Sequence, residues 1–305
     1  MTRAGELRRD IGTIKDHFRK PQERVPANPG YDISGLSVPV EVLRALVVAL
    51  AGGHTLYVRA PGRDFDSLLL RCAELLPPLD DEDAEMLQVL EENDEYAEEQ
   101  IAPRWFPPFH RLSTLTQFGV DVPGNLRASL FGPPSRPWVP GLCSLSHRGV
   151  LHVPDLPRID PETRRLLWRA WRDTQVPMRG GVRYPADFTL VADGAEWPQE
   201  PFSLVLPWEG SESPIGDVAD DLRDAIAAAH AAQVDRGQAV PNARTATAAF
   251  ARMTRSAHDE LRLLGEVPAA KLAVVARTVA DLDGDREVSP AHVAEAFRLT
   301  RGARS

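Results

Sequence analysis

An α/β core with a mostly parallel sheet, followed by an all-α bundle, is the fold this sequence predicts, and three observations carry the prediction. Helical stretches alternate with short apolar strand segments between residues 40 and 206. Strands that alternate with helices pair in parallel, because each crossover helix returns the chain in the same direction. From Asp217 onward the strand signals stop and alanine-rich helical stretches take over. Between these regions, the stretch Trp208-Glu209-Gly210-Ser211-Glu212-Ser213, bracketed by Pro207 and Pro214, reads as a linker. The expected boundaries are 1–30 for a basic, flexible extension, 31–206 for the α/β core and 207–305 for the helical domain.

The elements follow in order. Residues 3 to 24 carry Arg3, Arg8, Arg9, Lys15, Arg19, Lys20 and Arg24 against four acids, a composition that favours a solvated tail. Pro26 to Gly30 is a linker, and folding begins near Tyr31. Val40 to Ala51 places Val42, Leu43, Leu46, Val47 and Leu50 at helical spacing and stops at Gly52-Gly53. The strand Thr55 to Arg59 follows, then a Pro-Gly turn and a helix from Ser67 to Leu76 that closes at Pro77-Pro78. Prolines at 103, 107, 108, 123, 133, 134, 137 and 140 predict an extended insertion with little regular structure.

Asp160-Pro161-Glu162 is a helix opening, with an acid cap, proline in the first turn and an acid on the positive end of the dipole. Leu166, Leu167, Ala170 and Trp171 make its apolar stripe. Phe188 to Ala192 and Phe202 to Leu206 are short buried strands. The helical region reads as Asp217 to Val234, Asn242 to Leu264, Pro268 to Leu282 and a last helix capped by Ser289-Pro290.

At 305 residues and 43% hydrophobic, the chain can build one large or two modest cores. No apolar run approaches the ~20 residues of a membrane span, and no signal peptide opens the sequence, so a cytoplasmic protein without membrane contact is expected. Cys72 and Cys143 supply no disulfide framework and read as small core residues. The eight histidines lack ligand spacing, so no metal site is expected. The net charge of −9 is uneven: Asp80-Asp81-Glu82-Asp83, Glu91-Glu92-Asn93-Asp94-Glu95 and Glu98-Glu99 form an acidic segment, read as a solvated helix and loop.

Four stretches carry a family likeness. They are Gly53 to Gly62, a strand running into a Pro-Gly turn; Pro140 to Pro157, a polar segment and a strand ending at an acid; Tyr184 to Ala192; and Val275 to Gly284. In this order and spacing the sequence resembles the magnesium-chelatase branch of the AAA+ ATPases, most closely its ComM-type bacterial members, over about residues 31 to 301. The resemblance implies an AAA+-like three-layer α/β core, an all-α lid over the nucleotide edge, and sites placed between ring subunits. Arg104 to His110 is similar to the insertion that faces the ring's central channel in that family.

What the chemistry requires is largely absent. A triphosphate site needs backbone N–H groups at a helix N-terminus, a lysine on the β- and γ-phosphates and a hydroxyl on Mg²⁺. No lysine occurs between Lys20 and Lys271. The matching loop, Ala60-Pro61-Gly62-Arg63-Asp64-Phe65-Asp66-Ser67, aligns with one residue deleted and puts Phe65 or Asp66 at the lysine position. Asp64 and Asp66 would face phosphate as like charges, at a cost of about 4 kcal/mol for a unit pair at ~4 Å and an effective dielectric of 20.

Pro154 stands where the family has its metal-linked aspartate, which leaves Asp155 in the place of the glutamate. Ala195 takes the place of the water-positioning polar residue, Glu196 to Pro201 contain no arginine to reach a neighbouring subunit, and Val267 replaces the lid arginine. The nucleotide-binding residues implied by the resemblance are therefore Pro61, Gly62, Arg63, Asp66, Ser67 and Asp155, in degenerate form.

The reading that follows is a catalytically inactive AAA+-like protein without a cofactor or catalytic residues. It acts as a scaffold or regulatory subunit through a protein partner, either an active AAA+ ATPase or further copies of itself. One alternative is a working Mg-ATP motor on DNA or in metal insertion that relies on Arg63 and Asp155. Another is a nucleic-acid-binding protein that uses the basic head and arginine-rich surfaces, against which the overall acidity counts. Ser144, Ser146 and His147 lie close together, but no glycine elbow surrounds either serine, so nucleophilic catalysis is set aside.

Overall fold

The computed structural model describes residues 33–93, 106–112, 123–136, 138–178, 181–210, 212–216, 218–245, 252–265 and 267–302, with Arg3, Ala4 and Leu7. Most of the basic extension, the acids Asp94 to Glu99, and Arg104-Trp105 lie outside the described residues. In chain order the elements are β1 (Ser37–Pro39), α1 (Val40–Gly52), β2 (Leu56–Arg59), α2 (Phe65–Cys72), α3 (Asp81–Glu91), β3 (Phe109–Arg111), α4 (Pro123–Phe131) and α5 (Leu142–Leu145). They continue as β4 (Val150–Val153), α6 (Pro161–Asp173), β5 (Gln175–Pro177), β6 (Arg183–Pro185), β7 (Thr189–Gly194), β8 (Leu204–Pro207) and β9 (Glu212–Pro214). The C-terminal helices are α7 (Ala219–Asp235), α8 (Arg255–Leu263), α9 (Ala269–Leu282) and α10 (Pro290–Arg301). Parallel pairing dominates, and the class is α/β as the sequence predicts. Among the described residues no helix is long and apolar enough to cross a membrane.

The chain divides into two compact units, each drawn from separated segments. One is formed by the described residues of Asp32–Pro77, Asp155–Pro157 and Thr189–Ser305. Here β2 pairs in parallel with β7 on one side and β8 on the other, Leu56 lying opposite Val191 and Leu204. All six residues of β7 and the first three of β2 are buried, as in strands covered on both faces, with Leu190, Val191 and Ala192 supplying the apolar run of β7. Helix α1 ends because Gly53 takes a left-handed φ of +66° and its N–H returns to the Ala49 carbonyl.

The predicted linker between Pro207 and Pro214 is in part a strand: β9 pairs antiparallel with β1, Ser37 opposite Pro214. All three β9 residues are exposed, so the strand is held by backbone pairing and has no apolar pattern to announce it. The predicted helix from Asn242 to Leu264 is also interrupted. Asn242 to Arg244 form one 3₁₀ turn, and α8 starts only at Arg255, where the Thr254 hydroxyl accepts from the Ala257 N–H. Helix α10 opens at Ser289-Pro290 as expected, with His292 Nδ1 accepting from the Ser289 N–H at 3.0 Å.

A buried polar network ties α1, α7 and α9 to the 3₁₀ turn. The Thr278 hydroxyl lies 2.8 Å from His54 Nε2 and 3.1 Å from Asn242 Nδ2. Asn242 Nδ2 also donates to Asp281 at 2.8 Å, and Gln233 Nε2 donates to the Ala51 carbonyl. Asp281 accepts from Arg236 Nη1 and Nη2, each at 2.6 Å, and from Arg277 Nε at 3.1 Å. Burial lowers the Arg277 pKa against the pull of Asp281. Gly52 is required beside this network, because a Cβ there would stand 2.4 Å from the Thr278 hydroxyl oxygen.

Burial, then Lys271, lowers the His54 pKa to about 3, so the imidazole is neutral in the fold. A histidine whose folded pKa lies below its unfolded value stabilises the fold above pH ~6.5 and loses that contribution as pH falls toward 3. By pH 4.5 the loss amounts to about 3 kcal/mol. Urea midpoints between pH 7 and 4.5 are expected to fall more steeply for the parent than for His54→Gln; identical slopes would show that His54 is not held neutral.

The other unit comprises the described residues of Met1–Tyr31, Pro78–Pro154 and Arg158–Phe188. β3 and β4 pair in parallel, Phe109 opposite Val150, and β5 and β6 form an antiparallel hairpin. Gly149 passes against the Pro108 carbonyl so closely that no Cβ fits. The predicted proline-rich insertion contains helix α4, whose Arg127 bonds Thr163, Asp160 and Glu162 around the opening of α6. In α6 the buried face is Thr163, Arg164, Leu167 and Ala170, with Leu166 and Trp171 half-buried at its margin. The acidic segment is not wholly solvated, since Asp83 accepts from Arg148 Nε at 2.7 Å and lies 3.5 Å from His147 Nε2. Burial alone would raise the Asp83 carboxyl; His147 and Arg148 outweigh it and hold the pKa below its usual value. Both cysteines are buried and free.

Candidate nucleotide-binding site

The loop that follows β2 begins at Ala60, whose φ of +50° is uncommon for a residue with a Cβ. Its N–H donates to the Gly194 carbonyl at the end of β7, at 2.8 Å, which fixes the loop to the strand ends. Gly62 faces Trp208: a Cβ there would stand 2.4 Å from the indole Nε1. The turn closes with the Phe65 N–H on the Gly62 carbonyl, and α2 starts at Phe65.

Phe65, at one of the two candidate lysine positions, is 1% exposed and packs edge-on against Trp208, with ring centroids 5.7 Å apart. Trp208 is itself anchored, its N–H on the Arg59 carbonyl and its indole N–H on Glu212 at 2.6 Å. Arg59 pairs with Glu209 at 2.8 Å and lies over the Trp197 ring. Asp64 turns toward β1, where its carboxylate accepts the Ser37 N–H at 2.9 Å. Asp66 and Arg63 are exposed, while Pro61 and Ser67 are half-buried.

Asp155 follows β4 with a φ of +48°, and its N–H donates to Asp193 Oδ1 at 3.1 Å. Asp193 is buried near the end of β7, and Gly194 beyond it meets Tyr57. The Tyr57 hydroxyl donates to the Glu196 carbonyl at 2.6 Å. Burial, then Asp193, Asp155, Glu200 and Glu196, push its pKa well above the ordinary phenol value. The structure therefore gathers the loop after β2, Asp155 and residues 193–196 around the ends of β2 and β7. Ala195 is exposed just past β7, and Val267 is half-buried two residues before α9. Among the described residues no group of three His, Cys, Asp or Glu is placed to hold a metal ion.

Sequence reasoning missed Trp208, Asp193 and Tyr57. A lone tryptophan in an otherwise polar stretch was the available signal for the first, because so large an apolar ring in a linker needs something to pack on.

Residues 32–198, which include β2, the loop after it and Asp155, fit the model for magnesium chelatase, subunit ChlI, and the chain belongs to that family. This is the AAA+ branch the sequence resembles. Among curated relatives, the uncharacterized protein YifB of Escherichia coli (strain K12) is 31% identical over 181 residues, 57% of this chain and 33% of that protein. The uncharacterized protein YifB of Salmonella typhimurium (strain LT2) is 29% identical over 157 residues, 49% of this chain and 28% of that protein. The matched stretch thus spans about a third of the relatives' length. Of solved structures, a full-length MCM homolog from Methanopyrus kandleri aligns at a TM-score of 0.47 and 15% identity, covering 86% of this chain and 54% of that one.

Proposed function

We propose that this chain is a magnesium-chelatase-family protein that does not hydrolyse ATP and works by association, as a scaffold or regulatory subunit with a protein partner, either an active AAA+ ATPase or further copies of itself. One observation carries the reading: Phe65 is buried against Trp208 at the start of the helix where a phosphate-binding lysine would reach out, and Gly62 is packed under the same indole. A magnesium triphosphate does not fit these residues. Asp66 sits in the first turn of α2, where its carboxylate already occupies the positive end of the helix dipole. Pro154 offers no metal-binding carboxylate, and the Asp155 N–H is committed to Asp193.

Titration calorimetry of the purified protein is expected to show no Mg-ATP binding at sub-millimolar nucleotide. A micromolar dissociation constant that Arg63→Ala abolishes would overturn the proposal in favour of a working ATP-dependent motor built on Arg63 and Asp155.

A further inference from the structure

We infer that the segment joining β8 to α7 is an intramolecular latch, anchored by Trp208, that holds the C-terminal helices in one position on the β2–β7–β8 sheet. Its composition is that of a linker, and a flexible linker leaves its backbone groups to water. Here they are taken at intervals along the described residues. The Trp208 N–H donates to the Arg59 carbonyl at 2.9 Å, and Glu212 to Pro214 pair with β1 as β9. The Ile215 N–H then donates to the Leu36 carbonyl at 2.9 Å and the Gly216 N–H to the Ser34 carbonyl at 3.1 Å, with the Ile215 side chain buried. The chain is thus fixed to the end of β2 and to the approach to α1 before α7 begins at Ala219.

Side chains close the latch from both ends. The Trp208 ring lies on Gly62 and edge-on to Phe65, while its N–H reaches forward to the exposed Glu212 at 2.6 Å. One side chain therefore joins the first half of the segment, the second half and the loop after β2. The Glu209 pair with Arg59 adds little, because that carboxylate is 60% exposed. From the other side, Asp64 of the same loop accepts the Ser37 N–H of β1 at 2.9 Å.

Segment, loop and β1 form a closed circuit in which each is held by the other two. Breaking one contact leaves two in place, so the segment opens only when contacts are lost together. Helix α7 is held in turn: Arg223 Nε donates to the Glu74 carbonyl at 3.1 Å near its start, and Gln233 Nε2 to the Ala51 carbonyl at 2.8 Å near its end. A hinge needs residues free to change φ and ψ, and this connection commits them. The helices keep one position on the sheet, and a partner meets a surface that costs nothing to order. That last step rests on the association reading above; the latch itself does not.

The test is digestion of the full-length protein with an endoprotease that cuts after glutamate, because Glu209 and Glu212 both lie exposed in the segment. Fragments that begin at Gly210 and Ser213 are followed by mass spectrometry, and a synthetic peptide of residues 205–216 supplies the rate for an unlatched chain. The parent is expected to be cut at least about a hundredfold more slowly than the peptide, since cleavage follows the population of the opened segment. Trp208→Ala removes an indole contact and a hydrogen bond to a charged acceptor, and should speed both cuts at least about tenfold. Glu212→Gln keeps the ring but weakens its hydrogen bond, and should speed the cut after Glu209 by a smaller factor. This exposed substitution carries the test if circular dichroism shows that Trp208→Ala does not fold. Parent cutting at the peptide's rate would overturn the inference and make the segment a linker. So would parent-like resistance of a folded Trp208→Ala protein, or of Glu212→Gln where the alanine variant is unfolded. None of these results bears on Mg-ATP binding, which calorimetry decides separately.

Discussion

Replacing Asp281 with alanine should cost about 3–5 kcal/mol, a large share of the 5–15 kcal/mol that holds a typical domain. The carboxylate is shared by Arg236 and Arg277, whose side chains are 9% and 1% exposed, and by the Asn242 amide. Its removal leaves two guanidiniums inside the C-terminal helices without their counter-ion, and a buried charge stripped of its partner is costlier than the pair was stabilising. Arg277 keeps the Arg286 and Asp285 carbonyls as acceptors, which orients it but does not neutralise it. Asp281→Asn should fall between parent and alanine variant, because it retains one acceptor oxygen. Urea denaturation followed by circular dichroism measures the effect. A loss under 1 kcal/mol for Asp281→Ala would mean that both arginines reach water, and that this carboxylate does not lock the helices to α1.

That network also marks the limit of what could be read from the residues alone. Helix α1, strand β2 and helix α9 were legible because each signals itself locally: apolar spacing that ends at Gly52-Gly53, a branched and aromatic run, an alanine-rich amphipathic stretch after Pro268. Strand β9 was not, since its exposed residues carry no period and its partner β1 lies far back in the sequence. The same holds for the salt bridges of Arg148 with Asp83 and Asp187, formed by residues 65 and 39 positions apart. At the candidate site, the sequence named the loop Pro61 to Ser67 and Asp155 through a motif at fixed spacing. It gave no hint that Trp208 covers Gly62, because contact between a turn and a residue about 150 positions later follows from the sheet order, with β8 beside β2.

Val275→Asp is expected to unfold the helical region outright. Val275 is fully buried on α9, next to Ala276 and one turn before Val279, and α9 packs on α10, α7 and α1. Alanine favours the helix, but a helix of this length gains most of its stability by burying one face, so it depends on that contact. An aspartate there has no partner within the apolar layer. Whether it stays ionised or takes up a proton, the cost is several kcal/mol, added to the lost burial of the valine side chain. Any partner binding should then disappear together with the helical signal, whereas an exposed substitution such as Leu263→Asp, at a side chain 81% exposed on α8, should leave both intact. Circular dichroism and size-exclusion chromatography compare the two variants. A soluble, monomeric and fully helical Val275→Asp protein would show that this face of α9 is open to solvent, and that the packing of the C-terminal helices rests on other contacts.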